Sequence, residues 1–343
     1  EERWDEFYTS RRSQVLAALL PQAELDRQHP PPLRKAFFAS VKPSIDEEFL
    51  REQRGIVKAL NDTRVTEELL VWHEMSYERG VATGCTSILA ADANGTVFHG
   101  RNFDLHQERF VLQGSMSDDF VEVDFQHDGK LVFTSIHIFM GVGVHTALRP
   151  GAWSVSQNAR TGSQDVAANL ATIQKGGRPA ALILRRVIQD IETFSSAVHA
   201  CATTEFMAPA YFILAGACPY EGALITRDRH VQAVPYANVD TQSPRYWVPL
   251  SPEIGRRFIV QTNDDTWKTP EDNRRPSAVS RLASMAPEDV NEGSVLSLMM
   301  GVPVLNVLTL FTWIGEPSTG ASRVFRGRDE MLDIAGRVVK AIS

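Results

Sequence analysis

The sequence predicts an α+β fold: a helical N-terminal segment, then layered antiparallel sheets with helices gathered between runs of strands. Two observations carry this. Up to Arg79 the apolar residues recur at helical spacing (Trp4, Phe7, Val15, Leu16, Leu19, then Leu33, Phe37, Val41, then Leu69, Leu70, His73, Tyr77), with no strand-like alternation. From Gly80 onward, short apolar runs are separated by Gly, Asn and Asp turn signals. They come in groups rather than alternating singly with helices, as a parallel doubly wound sheet would require.

In chain order, Pro30-Pro31-Pro32 breaks the helical head. Strands are expected at 87–91, 97–99, 120–125, 131–138 and 152–156, then helices at 180–191 and 194–203. Further strands follow at 211–215, 223–226, 231–235 and 257–262, helices at 277–285 and 293–300, strands at 307–313 and 323–325, and a last helix from Asp329. The stretch 261–276 is too polar for core and too rich in Trp and Arg for an idle linker, and reads as a functional loop.

Composition excludes several classes. The chain has 343 residues, 43% of them hydrophobic, enough to bury a sizeable core. A net charge of -7 without a basic stripe argues against nucleic acid as a partner. No apolar run is long enough to span a bilayer. No Gly-rich phosphate loop or Cys-x-x-Cys pair is present, and no cofactor or metal is expected. Three cysteines, Cys85, Cys201 and Cys218, cannot build a disulfide framework; Cys201 and Cys218 read as core thiols. The opening at Glu1 fits a removed signal peptide, and Asn61-Asp62-Thr63 and Asn94-Gly95-Thr96 match the N-glycosylation pattern. Together they point to a lysosomal or secreted protein.

Cys85 stands where the head meets the first strand. The Asn94-Gly95 turn would fold His99-Gly100-Arg101-Asn102-Phe103-Asp104 back alongside Cys85-Thr86-Ser87, bringing Arg101 and Asp104 near the thiol. This segment, with Gly84-Cys85-Thr86-Ser87-Ile88, resembles the junction of acid ceramidase and N-acylethanolamine acid amidase. Further matching pieces follow in order: Ala210-Tyr211-Phe212-Ile213-Leu214, Glu221-Gly222, Ile225-Thr226-Arg227-Asp228, Gln261-Thr262-Asn263 with Trp267, Arg274-Arg275, and Val302-Pro303-Val304-Leu305-Asn306. The resemblance implies the αββα sandwich of N-terminal nucleophile hydrolases, shared with choloylglycine hydrolases. It also implies an inactive precursor cut between Gly84 and Cys85 into a helical segment, 1–84, and a catalytic part, 85–343, that stay together as a heterodimer.

The chemistry follows from the residues. Cutting before Cys85 would free its α-amine, reference pKa about 7.7–8.0, to act as base and then acid beside the thiol. Arg101 would stabilise the thiolate and Asp104 would hold the new ammonium. By resemblance, Asn263 donates to the oxyanion and an arginine at 274 or 275 completes the site. Singly, these residues read equally as a hairpin ion pair, a turn cap and a surface charge. One position departs from the family: Asn158-Ala159-Arg160 stands where relatives carry a Glu that assists maturation. Ala159 implies slow self-cleavage, a compensating acid elsewhere, or a deliberate substitution that keeps the precursor intact.

Two rival readings are a papain-like enzyme pairing Cys85 with His99 or His137, and a lipid-binding protein that lost maturation. The expected substrate is a fatty-acyl amide, an N-acylethanolamine or a ceramide; the small number of cysteines favours the former. An acyl groove could draw on Phe103, Phe110, Phe139, Met140 and Trp153. Phe37, Phe38 and Val41, beside Arg34, Lys35 and Lys42, could give the head a peripheral contact with a membrane surface.

Overall fold

The computed structural model describes residues 2–25, 31–80, 83–105, 120–138, 141–160, 165–229 and 247–326. The head consists of α1 (Glu2–Ser10), α2 (Arg12–Leu25), α3 (Pro31–Val41), α4 (Glu47–Leu60) and α5 (Glu67–Glu74). Pro31 starts α3 rather than only ending what precedes it, because its missing N–H costs nothing in a first helical turn. In α4, Phe49, Leu50, Gln53, Ile56 and Leu60 share one buried face, Glu47 and Glu48 sit at the positive N-terminal end, and Asn61 closes the helix in the left-handed region. Thr66 caps α5 by accepting the Leu69 N–H.

The head buries its apolar faces in one core, with Phe37 edge-on to Trp72 at 5.1 Å. That core also takes in Val142, Leu182 and Met207 from the sheet-bearing part. Phe37, Phe38 and Val41 are all buried in it, which corrects the expected membrane contact: the apolar side of α3 faces its neighbouring helices.

The remainder forms two antiparallel sheets. The first runs in the order β10 (Phe258–Gln261), β1 (Thr83–Ala91), β2 (Val97–Leu105), β11 (Thr309–Glu316), β12 (Ala321–Arg326). The second runs β3 (Phe120–His127), β4 (Lys130–Ile138), β5 (Thr146–Arg149), β6 (Trp153–Ala159), β7 (Ala210–Gly216), β8 (Gly222–Arg227), β9 (Trp247–Pro249). Between them pack Leu89, Ala91, Val97 and Ile259 from the first sheet against Tyr211, Ile213, Ala215 and Leu224 from the second. Outside the first sheet, Ile88, Ala90 and Phe98 meet Ala278 and Leu282 of α9 (Arg274–Ala283) and Val295 and Met299 of α10 (Glu292–Met299). Outside the second, Trp153, Val155, Phe212 and Ile225 lie under α7 (Ala180–Asp190) and α8 (Phe194–Thr203). The layers are therefore αββα.

The short strands β5 and β9 and the helix α6 (Val166–Ile173) escaped the sequence reading, while the expected strand at 231–235 and the helix from Asp329 lie outside the described residues. Cys201 is a buried core thiol, but Cys218 is exposed, because it sits in the turn between β7 and β8 rather than under a helix.

Candidate active site

The hairpin of β1 and β2 builds the site. Gly95, with φ +88, makes the turn, and the strands pair with Gly84 opposite Asp104, Cys85 opposite Phe103 and Ser87 opposite Arg101. Every residue of β2 is buried, since the second sheet covers one face and α10 the other. Its polar residues consequently need partners. His99 bonds Ser154 and Ser156 at 2.8 and 2.9 Å, and Asn102 donates to the Met299 and Val304 carbonyls while accepting from Thr312.

Cys85 is the third residue of β1, not its first, and its side chain is 0% exposed. Strand β10 pairs with β1 only from Ser87 to Ala90, so the ladder stops short of the cysteine. The Asn263 side chain takes over: its Oδ1 accepts the Cys85 N–H at 2.9 Å, while its Nδ2 donates to the Ala159 carbonyl at 2.9 Å. The sulfur lies 3.3 Å from Arg101 Nη2 and 3.7 Å from the Tyr77 hydroxyl, and Arg101 Nη1 donates to the His145 carbonyl.

Arg274, at the start of α9, connects the parts. Its Nη1 donates to the Cys85 carbonyl at 3.0 Å and to Asp104 Oδ2 at 2.9 Å, and its Nη2 donates to Asn263 Oδ1 at 3.0 Å. Arg275 instead donates to the carbonyls of Asp264, Asp265 and Lys268 and shapes the loop, so Arg274 is the arginine brought to the cysteine. Asp104 accepts from Arg274, Asn306 and Thr309, not from the Cys85 nitrogen. Burial pushes its carboxyl upward against the pull of these donors. The loop after β10 is fixed to the second sheet by Arg160, which grips Asp265 at 2.7 and 3.1 Å, and by Tyr211 at 2.8 Å from the same carboxylate. Burial opposes ionisation there, but these bonds hold Asp265 at about 2.

Beside Tyr77 lies a cavity of about 60 Å³, lined among others by Glu74, Tyr77, Phe103, His137, His145 and Phe311 but not by Cys85 itself. Phe103 stacks on Phe311 with centroids 5.4 Å apart. Trp153 is not brought here; it packs on the outer face of the second sheet, its Nε1 bonded to the Ile191 carbonyl. Phe110, Phe139 and Met140 lie outside the described residues. Glu74 accepts the N–H groups of Val142 and Gly143 at 2.6 and 3.0 Å, yet burial pushes its carboxyl up to about 7. Ala159 is buried in the same apolar cluster as Cys85 and Tyr77. Asn61 and Asn94 are exposed.

No described histidine bonds the sulfur. His99 is opposite Leu89, four residues along the ladder from Cys85, or about 13 Å away. His137 bonds the Gly141 carbonyl, and burial depresses both rings to about 3. The papain-like reading therefore lacks its base among the described residues. Tyr77, Asn306 and Thr309 were missed from sequence. Asn306 stood in a quoted motif without a role, and nothing in the spacing of Tyr77 distinguishes it from a core aromatic.

An αββα sandwich with a cysteine on an inner strand, its nitrogen and sulfur each held by a side chain from another element, defines the N-terminal nucleophile class of amidohydrolases. Comparison places the chain more closely. No family model matches it. It is 32% identical over 235 residues to the N-acylethanolamine-hydrolyzing acid amidase of Caenorhabditis elegans, covering 68% of this chain and 61% of that protein. It is 30% identical over 285 residues to the acid ceramidase of Pan troglodytes, covering 79% and 68%. The solved structure of a Caenorhabditis elegans N-acylethanolamine-hydrolyzing acid amidase ortholog superimposes with a TM-score of 0.59 at 29% identity, over 73% of this chain and 97% of that one. The chain belongs to the acid ceramidase and N-acylethanolamine acid amidase family.

Proposed function

We propose that this chain is the precursor of a lipid amidase that cuts itself between Gly84 and Cys85 and then hydrolyses fatty-acyl amides, N-acylethanolamines before ceramides. The observation that carries the reading is the hold on Cys85 from two sides, sulfur by Arg101 and nitrogen by Asn263. In self-cleavage the sulfur attacks the Gly84 carbonyl carbon, the bond from that carbon to the Cys85 nitrogen breaks, and the nitrogen leaves as an amine after taking a proton. Water then hydrolyses the Gly84 thioester and frees the thiol.

In turnover the α-amine takes the thiol proton, the sulfur attacks the acyl carbonyl, and the same proton goes to the departing amine. A second water releases the fatty acid from the thioester. Asn263 Oδ1 already accepts from the Cys85 nitrogen and would keep the amine in place. Asp104 acts one step removed, by holding Arg274 against the Cys85 carbonyl. With only three cysteines, the chain sides with the ethanolamide substrates.

The fragments 1–84 and 85–343 would remain a heterodimer, since the head shares its core with Val142, Leu182 and Met207. The names of the relatives, acid amidase and acid ceramidase, support an acidic compartment, lysosomal or secreted. A non-catalytic lipid carrier is the second reading, drawn from Ala159 standing where relatives carry a carboxylate, and an activity assay separates it from the enzyme.

Mass spectrometry of the purified protein at acidic pH, paired with assays on an N-acylethanolamine and a ceramide, tests this. Two fragments split before Cys85, with free fatty acid released, are expected. An intact active chain would overturn self-cleavage, and a chain that stays intact and inactive even as Ala159→Glu would overturn the enzyme.

A further inference from the structure

Tyr77 precedes the scissile bond, yet its hydroxyl reaches the sulfur that follows it. The residue sits in the turns after α5 and is 4% exposed. Its hydroxyl lies 3.7 Å from Cys85 Sγ and 3.5 Å from Arg101 Nη2, which itself donates to the sulfur at 3.3 Å. A hydroxyl can accept from the guanidinium and donate to the sulfur at once. The ring is fixed by stacking on His145, centroids 4.7 Å apart and planes 18° apart. His145 is held in turn by Gln157 at 3.1 Å, and its carbonyl accepts from Arg101 Nη1. Arginine, sulfur and phenol thus form a closed triangle, and Tyr77 also lines the 60 Å³ cavity together with Phe103 and His145.

We propose that Tyr77 is a catalytic residue supplied by the N-terminal segment, its hydroxyl donating to the Cys85 sulfur and aiming it, with Arg101, at the acyl carbonyl. This rests on the amidase reading above. The consequence is that the cut-off segment is not a discarded propeptide: without it the thiol loses one of its two donors. The backbone around Tyr77 is held on both sides to the part beyond the cut. Glu74 accepts from Val142 and Gly143, Glu78 Oε1 accepts the Ala180 N–H at 2.9 Å, and Asn169 donates to the Glu78 carbonyl at 2.7 Å.

Tyr77→Phe keeps the ring and its stacking and removes only the hydroxyl. On an N-acylethanolamine, kcat should fall roughly ten- to hundred-fold with KM within about twofold, because the hydroxyl acts on sulfur and not on the acyl chain. Acylation of Cys85 by p-nitrophenyl acetate, read as the nitrophenolate burst less that of Cys85→Ala, should slow by a similar factor. An unchanged kcat together with an unchanged burst overturns the proposal, as does a loss confined to KM, which would make Tyr77 a cavity wall. If the wild type hydrolyses no acyl amide, the substrate reading fails, and the burst alone decides Tyr77: a slower burst supports the hydroxyl and an equal one rejects it.

Discussion

Glu74 is a carboxylic acid that the fold keeps from ionising easily. Burial is the main cause, with Glu78 nearby adding to it and Arg185 and the two backbone donors opposing it. In the unfolded chain the group would titrate near its ordinary 4.5, in the folded chain near 7. Between those values the folded state holds a proton that the unfolded state has released. Its contribution to stability is therefore full below about pH 4.5 and is lost as pH rises through 7, at up to about 1.4 kcal/mol per pH unit. Glu74→Gln should flatten the fall in Tm between pH 5 and pH 7.5, whatever it does to Tm itself; an undiminished slope would assign the effect to other groups. At the same scale, a carboxylate at position 159 would enter the cluster that holds Cys85 and Tyr77. Ala159→Glu should speed cleavage at Gly84 roughly ten- to hundred-fold, most at mildly acidic pH, because burial would keep the new carboxyl partly protonated. Equal rates of fragment appearance would mean that another group moves the proton.

At the level of the hairpin, register does the positioning. Pairing Gly84 with Asp104 leaves no room for a side chain: an added Cβ would stand 2.9 Å from Asp104 Cβ and 3.2 Å from its Oδ2, with Arg274 Nη1 at 3.5 Å. Gly84→Ala should therefore push Asp104 away from Arg274 and slow self-cleavage at least tenfold, at a cost of about 1–3 kcal/mol in stability. Fragment appearance and Tm, measured on one preparation, separate the two effects; cleavage at the wild-type rate would show that the Asp104 to Arg274 contact is not needed. The end of β10 matters equally. Had that strand run two residues further, its backbone would pair with Cys85, and Asn263 could not take the cysteine N–H.

For the whole molecule, the joint between head and sandwich is mostly apolar core, with the buried Arg185 paired to Glu52 inside it and Arg186 paired to Glu48 and Asp46 at its rim. Apolar burial is not screened by salt, whereas rim ion pairs are. After cleavage, both fragments should co-elute on size exclusion in 1 M salt and separate only in denaturant. Separation in salt alone would show that charge, not core, holds the joint.

The chain order of elements was legible because periodicity is local: the helical head, the β1 and β2 hairpin with its Asn94-Gly95 turn, and α7 and α8 all follow from spacing and turn chemistry. Cys85 and Arg101 could be placed together for the same reason, since one hairpin carries both and register puts them on one face. What only the tertiary structure decided depends on contacts between distant segments. It chose Arg274 over Arg275 by where α9 begins, and turned Asp104 toward Arg274, Asn306 and Thr309. It buried Phe37, Phe38 and Val41 inside the head, sent Trp153 to the far face of the second sheet, and set Tyr77 against the sulfur. A side chain's partner across the core is fixed by how layers stack, and no pattern within either segment records that stacking.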